Sequence, residues 1–123
     1  MGNSGRTGLN RIFHAALFSM AGLKAAWVHE AAFRQEVILC AAMVPASFWV
    51  GQNAIEWSLL IGSCLLVLIV ELLNSGIEAI TDRVGTDHHA LSGQAKDLGS
   101  AAVLVSLVLT GLVWGLIAWQ NFA

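Results

Sequence analysis

Carboxylates and small polar groups recur at helical spacing in ELLNSGIEAITD, residues 71 to 82. At ~100° per residue, Glu71, Asn74, Ser75, Glu78 and Asp82 fall within about 100° of arc, and Leu72, Leu73, Ile77 and Ile80 take the opposite side. Acids gathered on one stripe can hold a divalent cation or accept the proton of an attacking hydroxyl. The stretch just upstream, WSLLIGSCLLVLIV at 57 to 70, carries no charge and reads as the outer part of a membrane span. Counted from Trp57, a hydrocarbon core ~30 Å thick takes about 20 residues at ~1.5 Å rise, which leaves Glu71 inside the cytoplasmic leaflet and Glu78 near its boundary. An ionisable residue at that depth is expensive and points to function, whereas Asp82, farther out, is equally well explained as a solvated helix end.

The elements that must position these acids follow from hydrophobic periodicity. Residues 6 to 27 place Leu9, Ile12, Phe13, Ala16, Leu17, Met20, Leu23 and Trp27 on one face and turn Arg11 and His14 away. This predicts an amphipathic helix lying in the membrane interface, or packed on other helices by the same face. Glu30 and Arg34 are spaced for a helix-surface pair. A first span is expected over 31 to 50, with Arg34 snorkelling, Pro45 inside it and Gly51, Gln52 and Asn53 turning the chain. A second span over 54 to 84 would measure roughly 46 Å at ~1.5 Å rise, so its acidic end must protrude toward water. Residues 85 to 97, with Gly85 and Gly93, read as a connection able to wrap a polar ligand, and His88 and His89 as interfacial side chains rather than metal ligands. Leu98 to Trp119 is uncharged and forms the third span, where Gly99, Ser100, Ala101, Ala102, Ser106, Gly111 and Gly115 offer small packing surfaces. Tryptophans 49, 57 and 119 are expected at one membrane interface.

Composition bounds the function. A chain of 123 residues, 57% hydrophobic and 11% charged, is one membrane domain over 1 to 123. A net charge of −2 without a basic run argues against nucleic acid as a partner. Cys40 and Cys64 lie in apolar segments and suggest neither a disulfide nor zinc. The start, MGNSGRTG, is expected to be neither cleaved nor lipidated. Arg6, Arg11, Lys24, Arg34, Arg83 and Lys96 all fall on the side of the amino terminus and the second connection, so the positive-inside rule puts the amino terminus and the 83 to 97 loop in the cytoplasm and the carboxyl terminus outside.

Glu71, Asn74, Ser75, Glu78 and Asp82 in this register resemble the signature of the small prokaryotic diacylglycerol kinases. The resemblance extends to AAWVHEAAFRQE at 25 to 36 and LSGQAKDLGSAAVL at 91 to 104, and so through nearly the whole chain. Gly76 stands where that family more often has alanine or serine, His88 where an aromatic residue is common, and Phe18 where tyrosine is frequent. The resemblance implies ATP-dependent phosphorylation of diacylglycerol to phosphatidic acid in the bacterial cytoplasmic membrane. It implies an all-α integral membrane fold, with an interfacial amphipathic helix and three transmembrane helices per subunit in a homotrimeric bundle. Glu71 is then the general base, Asn74 its polar partner, and Glu30 and Glu78 the ligands of Mg²⁺. Contacts to ATP are implied for Arg11, Phe18, Glu30, Glu78, Asp87, His88, His89, Lys96 and Asp97. Contacts to the lipid are implied for Arg11, Ala15, Ser19, Lys24, Ala32, Gln35, Glu36, Trp49, Glu71 and Ser100.

Depth alone supports such a division of labour, since Glu71 can meet a hydroxyl that stays in the membrane and Glu78 can meet Mg²⁺ on a soluble nucleotide. No Gly-x-x-x-x-Gly-Lys loop and no soluble-kinase signature is present, so spacing does not by itself name ATP as donor. The residues also admit an undecaprenol kinase of the same family, a small proton-coupled transporter built on Glu71, and a non-catalytic assembly subunit, which would leave the acids unexplained.

Overall fold

The computed structural model describes residues 7–85 and 90–123, and over them the chain is all-helical. Four helices follow in order: α1 (Gly8–His29), α2 (Ala31–Val50), α3 (Ala54–Val84) and α4 (Ala90–Phe122). By length and apolar composition α2, α3 and α4 can each cross a membrane.

The breaks are local and specific. Between α1 and α2 only Glu30 leaves helical geometry, with φ −117° and ψ 104°. The expected Glu30–Arg34 pair does not form. Glu30 is the N-cap of α2 and its carbonyl accepts the Arg34 amide at 3.2 Å, but the Arg34 side chain turns back across the elbow, where Nη1 donates to the carbonyls of Trp27 at 2.7 Å and Val28 at 3.2 Å. The arginine therefore caps the end of α1. Between α2 and α3 the chain turns at Gly51, where a Cβ would meet Trp57 Cδ1 at 2.9 Å and Leu60 Cδ1 at 3.0 Å. Asn53 then caps α3 by accepting from the Glu56 amide at 3.0 Å.

α3 is the central helix, packed most extensively on α4 and next on α2, with α1 touching α2 more sparingly. Thr110 Oγ1 donates to the Ser63 carbonyl at 3.1 Å and Trp114 Nε1 to the Leu60 carbonyl at 3.1 Å, tying α4 to α3. The pattern of burial is inverted relative to a water-soluble bundle. Ser47, Ser63, Ser106 and Glu71 are buried, while Leu73, Ile80, Leu104, Val105 and Leu116 are exposed. Each of those serines donates to a carbonyl three residues back in its own helix, so its hydroxyl is satisfied while its small volume lets helices approach.

One boundary differs from expectation. The described part of the 85 to 97 connection is helical from Ala90, so Lys96 and Asp97 ride on α4 rather than on a loop. Ser92 and Gly93 suggest a turn, but Ala90, Leu91, Ala95 and Lys96 are good helix formers and the helix runs through.

Candidate active site

A groove of about 840 Å³ opens between α1 and α3. The last turns of α1 and the elbow contribute Ser19, Gly22, Leu23, Ala26, His29 and Glu30, and α3 contributes Leu72, Ser75, Gly76, Glu78, Ala79 and Asp82. Leu72 was expected on the apolar side of α3. It lines the groove because positions 72, 75, 76 and 79 stack one turn above another. The elbow gives the site its second wall: an extended Glu30 places a carboxylate at the groove facing the acids of α3.

The acidic stripe is thus divided. Ser75, Glu78 and Asp82 face the groove, and Asn74 faces α4, where a Cβ on Gly99 would overlap Asn74 Oδ1. That oxygen is buried without a hydrogen-bond partner. Glu71 is buried, 6% exposed, and does not itself line the groove. Among the described residues no hydrogen bond or cation partners its carboxylate, and the charges it feels are those of Glu36, Glu78 and Glu30. A buried acid surrounded by acids contributes nothing to folding that a leucine would not.

Of the other expected site residues, Ser19 lines the groove while its hydroxyl donates to the Ala15 carbonyl at 2.9 Å. Arg11, Ala15, Phe18 and Lys24 are exposed along α1. Ala32, Gln35 and Glu36 stand in the first turns of α2, and Ser100 follows Gly99 on α4. Lys96 reaches the groove through Asp82, its Nζ lying 2.6 Å from Asp82 Oδ1. Trp49 is not brought to the groove. It stands at the far end of α2, its ring 5.4 Å from that of Phe122. Asp87, His88 and His89 lie outside the described residues.

Among the described residues no group of three or more His, Cys, Asp or Glu side chains is arranged to hold a metal ion. Mg²⁺ does not need such a cage, since it commonly takes one or two carboxylates and completes its shell with water and substrate phosphates. Glu30 and Glu78 on one groove fit that donor set. His29 lines the same groove and was not anticipated; its place next to Glu30 was the available signal.

Residues 17–118 match the family model described as prokaryotic diacylglycerol kinase. The chain belongs to that family. It is 49% identical over 116 residues to the diacylglycerol kinase of Escherichia coli (strain K12), a match covering 94% of this chain and 95% of that one. The diacylglycerol kinase of Pseudomonas aeruginosa is 50% identical over 113 residues, 92% of each chain, and that of Haemophilus influenzae 47% over 109 residues, 89% of this chain and 92% of that one. The matched region contains every described residue of the groove.

Proposed function

We propose that this chain phosphorylates diacylglycerol with ATP at the groove between α1 and α3, producing phosphatidic acid. The observation that carries the reading is Glu71: a buried, unpartnered carboxylate within an apolar span, in a member of a lipid kinase family. Phosphoryl transfer asks little covalent chemistry of a protein beyond positioning, charge compensation and a group to take the hydroxyl proton. Glu71 takes that proton, at a depth a membrane-held diacylglycerol can reach. Asn74, wedged against Gly99, fixes polar atoms one turn away on the same helix. Glu30 and Glu78 would hold Mg²⁺, which when bound offsets charge on the phosphates and the transferring group. The apolar walls of Leu23, Ala26, Leu72 and Ala79 keep water from competing with the lipid hydroxyl.

The same reading places the groove on the cytoplasmic side. Arg34 at the start of α2, Arg83 at the end of α3 and Lys96 near the start of α4 share one end of the bundle, which supports that orientation under the positive-inside rule. α1, whose Leu9, Ile12, Phe13 and Met20 are exposed, would then lie in the interface, and the open faces of α3 and α4 would pack in a homotrimer whose neighbouring subunits close the site.

The test is transfer of label from γ-³²P ATP in bilayers containing either diacylglycerol or undecaprenol. Mg²⁺-dependent labelling of diacylglycerol in preference to undecaprenol is expected. Labelling of undecaprenol alone would move the substrate assignment within the family, and labelling of neither lipid would defeat the reading.

A further inference from the structure

The ion pair between Lys96 and Asp82 is the single salt bridge among the described residues, and it joins α4 to the wall of the groove. Asp82 lines the groove and Lys96 does not. Side-chain exposures of 44% for Lys96 and 65% for Asp82 mean that water screens the pair, so it adds little to the hold between α3 and α4. That hold already comes from the Thr110 and Trp114 hydrogen bonds and the close approach at Gly99. What the pair does accomplish is placement of a charge. A lysine ammonium on four rotatable methylenes would otherwise roam; at 2.6 Å from Asp82 Oδ1 it is kept at the rim, close enough to feel the charge of Glu78.

We propose that Asp82 is a positioning residue for nucleotide binding, holding the Lys96 ammonium where it meets a phosphate of the incoming triphosphate. The inference rests on the kinase reading of the groove. Glu30, Glu78 and Asp82 make the groove strongly acidic, and a polyphosphate entering it meets repulsion unless cations stand at the entrance. An ammonium has three N–H donors; one held by Asp82 leaves two for phosphate oxygens, so Asp82 does not have to release Lys96 for the nucleotide to be engaged. Since the partner is exposed and solvated, the tether is weak enough to adjust to the nucleotide and strong enough to keep the cation on the groove side of α4.

The experiment measures KM for MgATP, kcat on diacylglycerol, and binding of the non-hydrolysable analogue Mg-adenylyl imidodiphosphate without lipid, for parent, Asp82→Asn, Asp82→Glu, Lys96→Ala and the Asp82→Asn/Lys96→Ala double variant. For Asp82→Asn, KM and the analogue's Kd should both rise about three- to five-fold, the scale of one exposed ion pair, with kcat within about two-fold of the parent. Asp82→Glu should restore both constants, and Asp82→Asn should add nothing in the Lys96→Ala background. A KM that falls would mean Asp82 competes with phosphate for the ammonium, and an equal rise in both backgrounds would mean that Asp82 acts without Lys96; either overturns the proposal, as does an unchanged KM. Absence of phosphate transfer in the parent would instead overturn the kinase reading, and this inference with it.

Discussion

α3 carries one glutamate in its first turn and another midway along, and the protein treats them in opposite ways. At one end Glu56 is fully engaged: Oε1 accepts from the Gln52 amide at 2.9 Å and from Asn121 Nδ2 at 2.9 Å, and Oε2 accepts from Gln120 Nε2 at 3.0 Å. Asn121 Nδ2 also donates to the Val50 carbonyl at 2.8 Å, so the ends of α2 and α4 and the start of α3 close on one carboxylate. Midway along the same helix Glu71 is more deeply buried and has no hydrogen-bond partner among the described residues. A carboxylate at that depth with no bonded partner is left free to engage a group from outside the chain. Glu56 serves the fold, and Glu71 is the group to which we assign the reaction.

The sharpest way to break this contrast is to neutralise each glutamate. Glu71→Gln should lower kcat by ~10² to 10⁴, because an amide cannot take the hydroxyl proton, while the variant purifies and binds nucleotide like the parent. Steady-state rates and nucleotide affinity measured together check this. Gly99→Ala should have a smaller effect on the same end: its methyl collides with Asn74 Oδ1, so α4 or the amide must shift, and kcat should fall about tenfold from misplacement alone. Enlarging Gly62, where a Cβ meets nothing within 4 Å, should leave the rate unchanged in the same assay. Glu56→Gln should have the smallest kinetic effect, with kcat and KM held, yet lower the thermal midpoint in detergent by a few degrees, because an amide nitrogen would face a donor in place of one carboxylate oxygen.

Much of this contrast was legible in the amino-acid sequence, and the parts that were not have identifiable causes. The acids of α3 stood out because charge inside an apolar run is rare, and the third crossing because residues 98 to 119 hold no charge at all. Helical spacing grouped Glu71 with Glu78 and Asp82 but could not divide the stripe, since which side meets α4 and which meets α1 depends on packing. The same limit put Leu72 on the wrong side. The i, i+4 spacing of Glu30 and Arg34 admits a surface pair, but the elbow at Glu30 leaves the carbonyls of Trp27 and Val28 open and the Arg34 side chain takes those instead. The Glu56 clamp went unread although its local signal was present: Asn53 followed three residues later by Glu56 is a capping-box spacing, and here the glutamate reaches back to the Gln52 amide. Its partners Gln120 and Asn121 lie at the other end of the chain, beyond the reach of any local rule.

The central claim is that Glu71 acts on the lipid hydroxyl while Glu78 acts on the metal, and a Mg²⁺ titration of phosphatidic acid formation in bilayers tests it most directly. Parent, Glu71→Gln and Glu78→Gln are compared at saturating ATP and diacylglycerol. Glu78→Gln should raise the Mg²⁺ concentration for half-maximal rate by about tenfold or more, since changes even to the surroundings of a metal ligand shift affinity that far. Glu71→Gln should keep the parental Mg²⁺ requirement within about two-fold while its plateau rate collapses, the pattern expected when only a transition-state interaction is lost. An equal rise in Mg²⁺ requirement for both variants, or a Glu71→Gln plateau within a few-fold of the parent, would contradict the account.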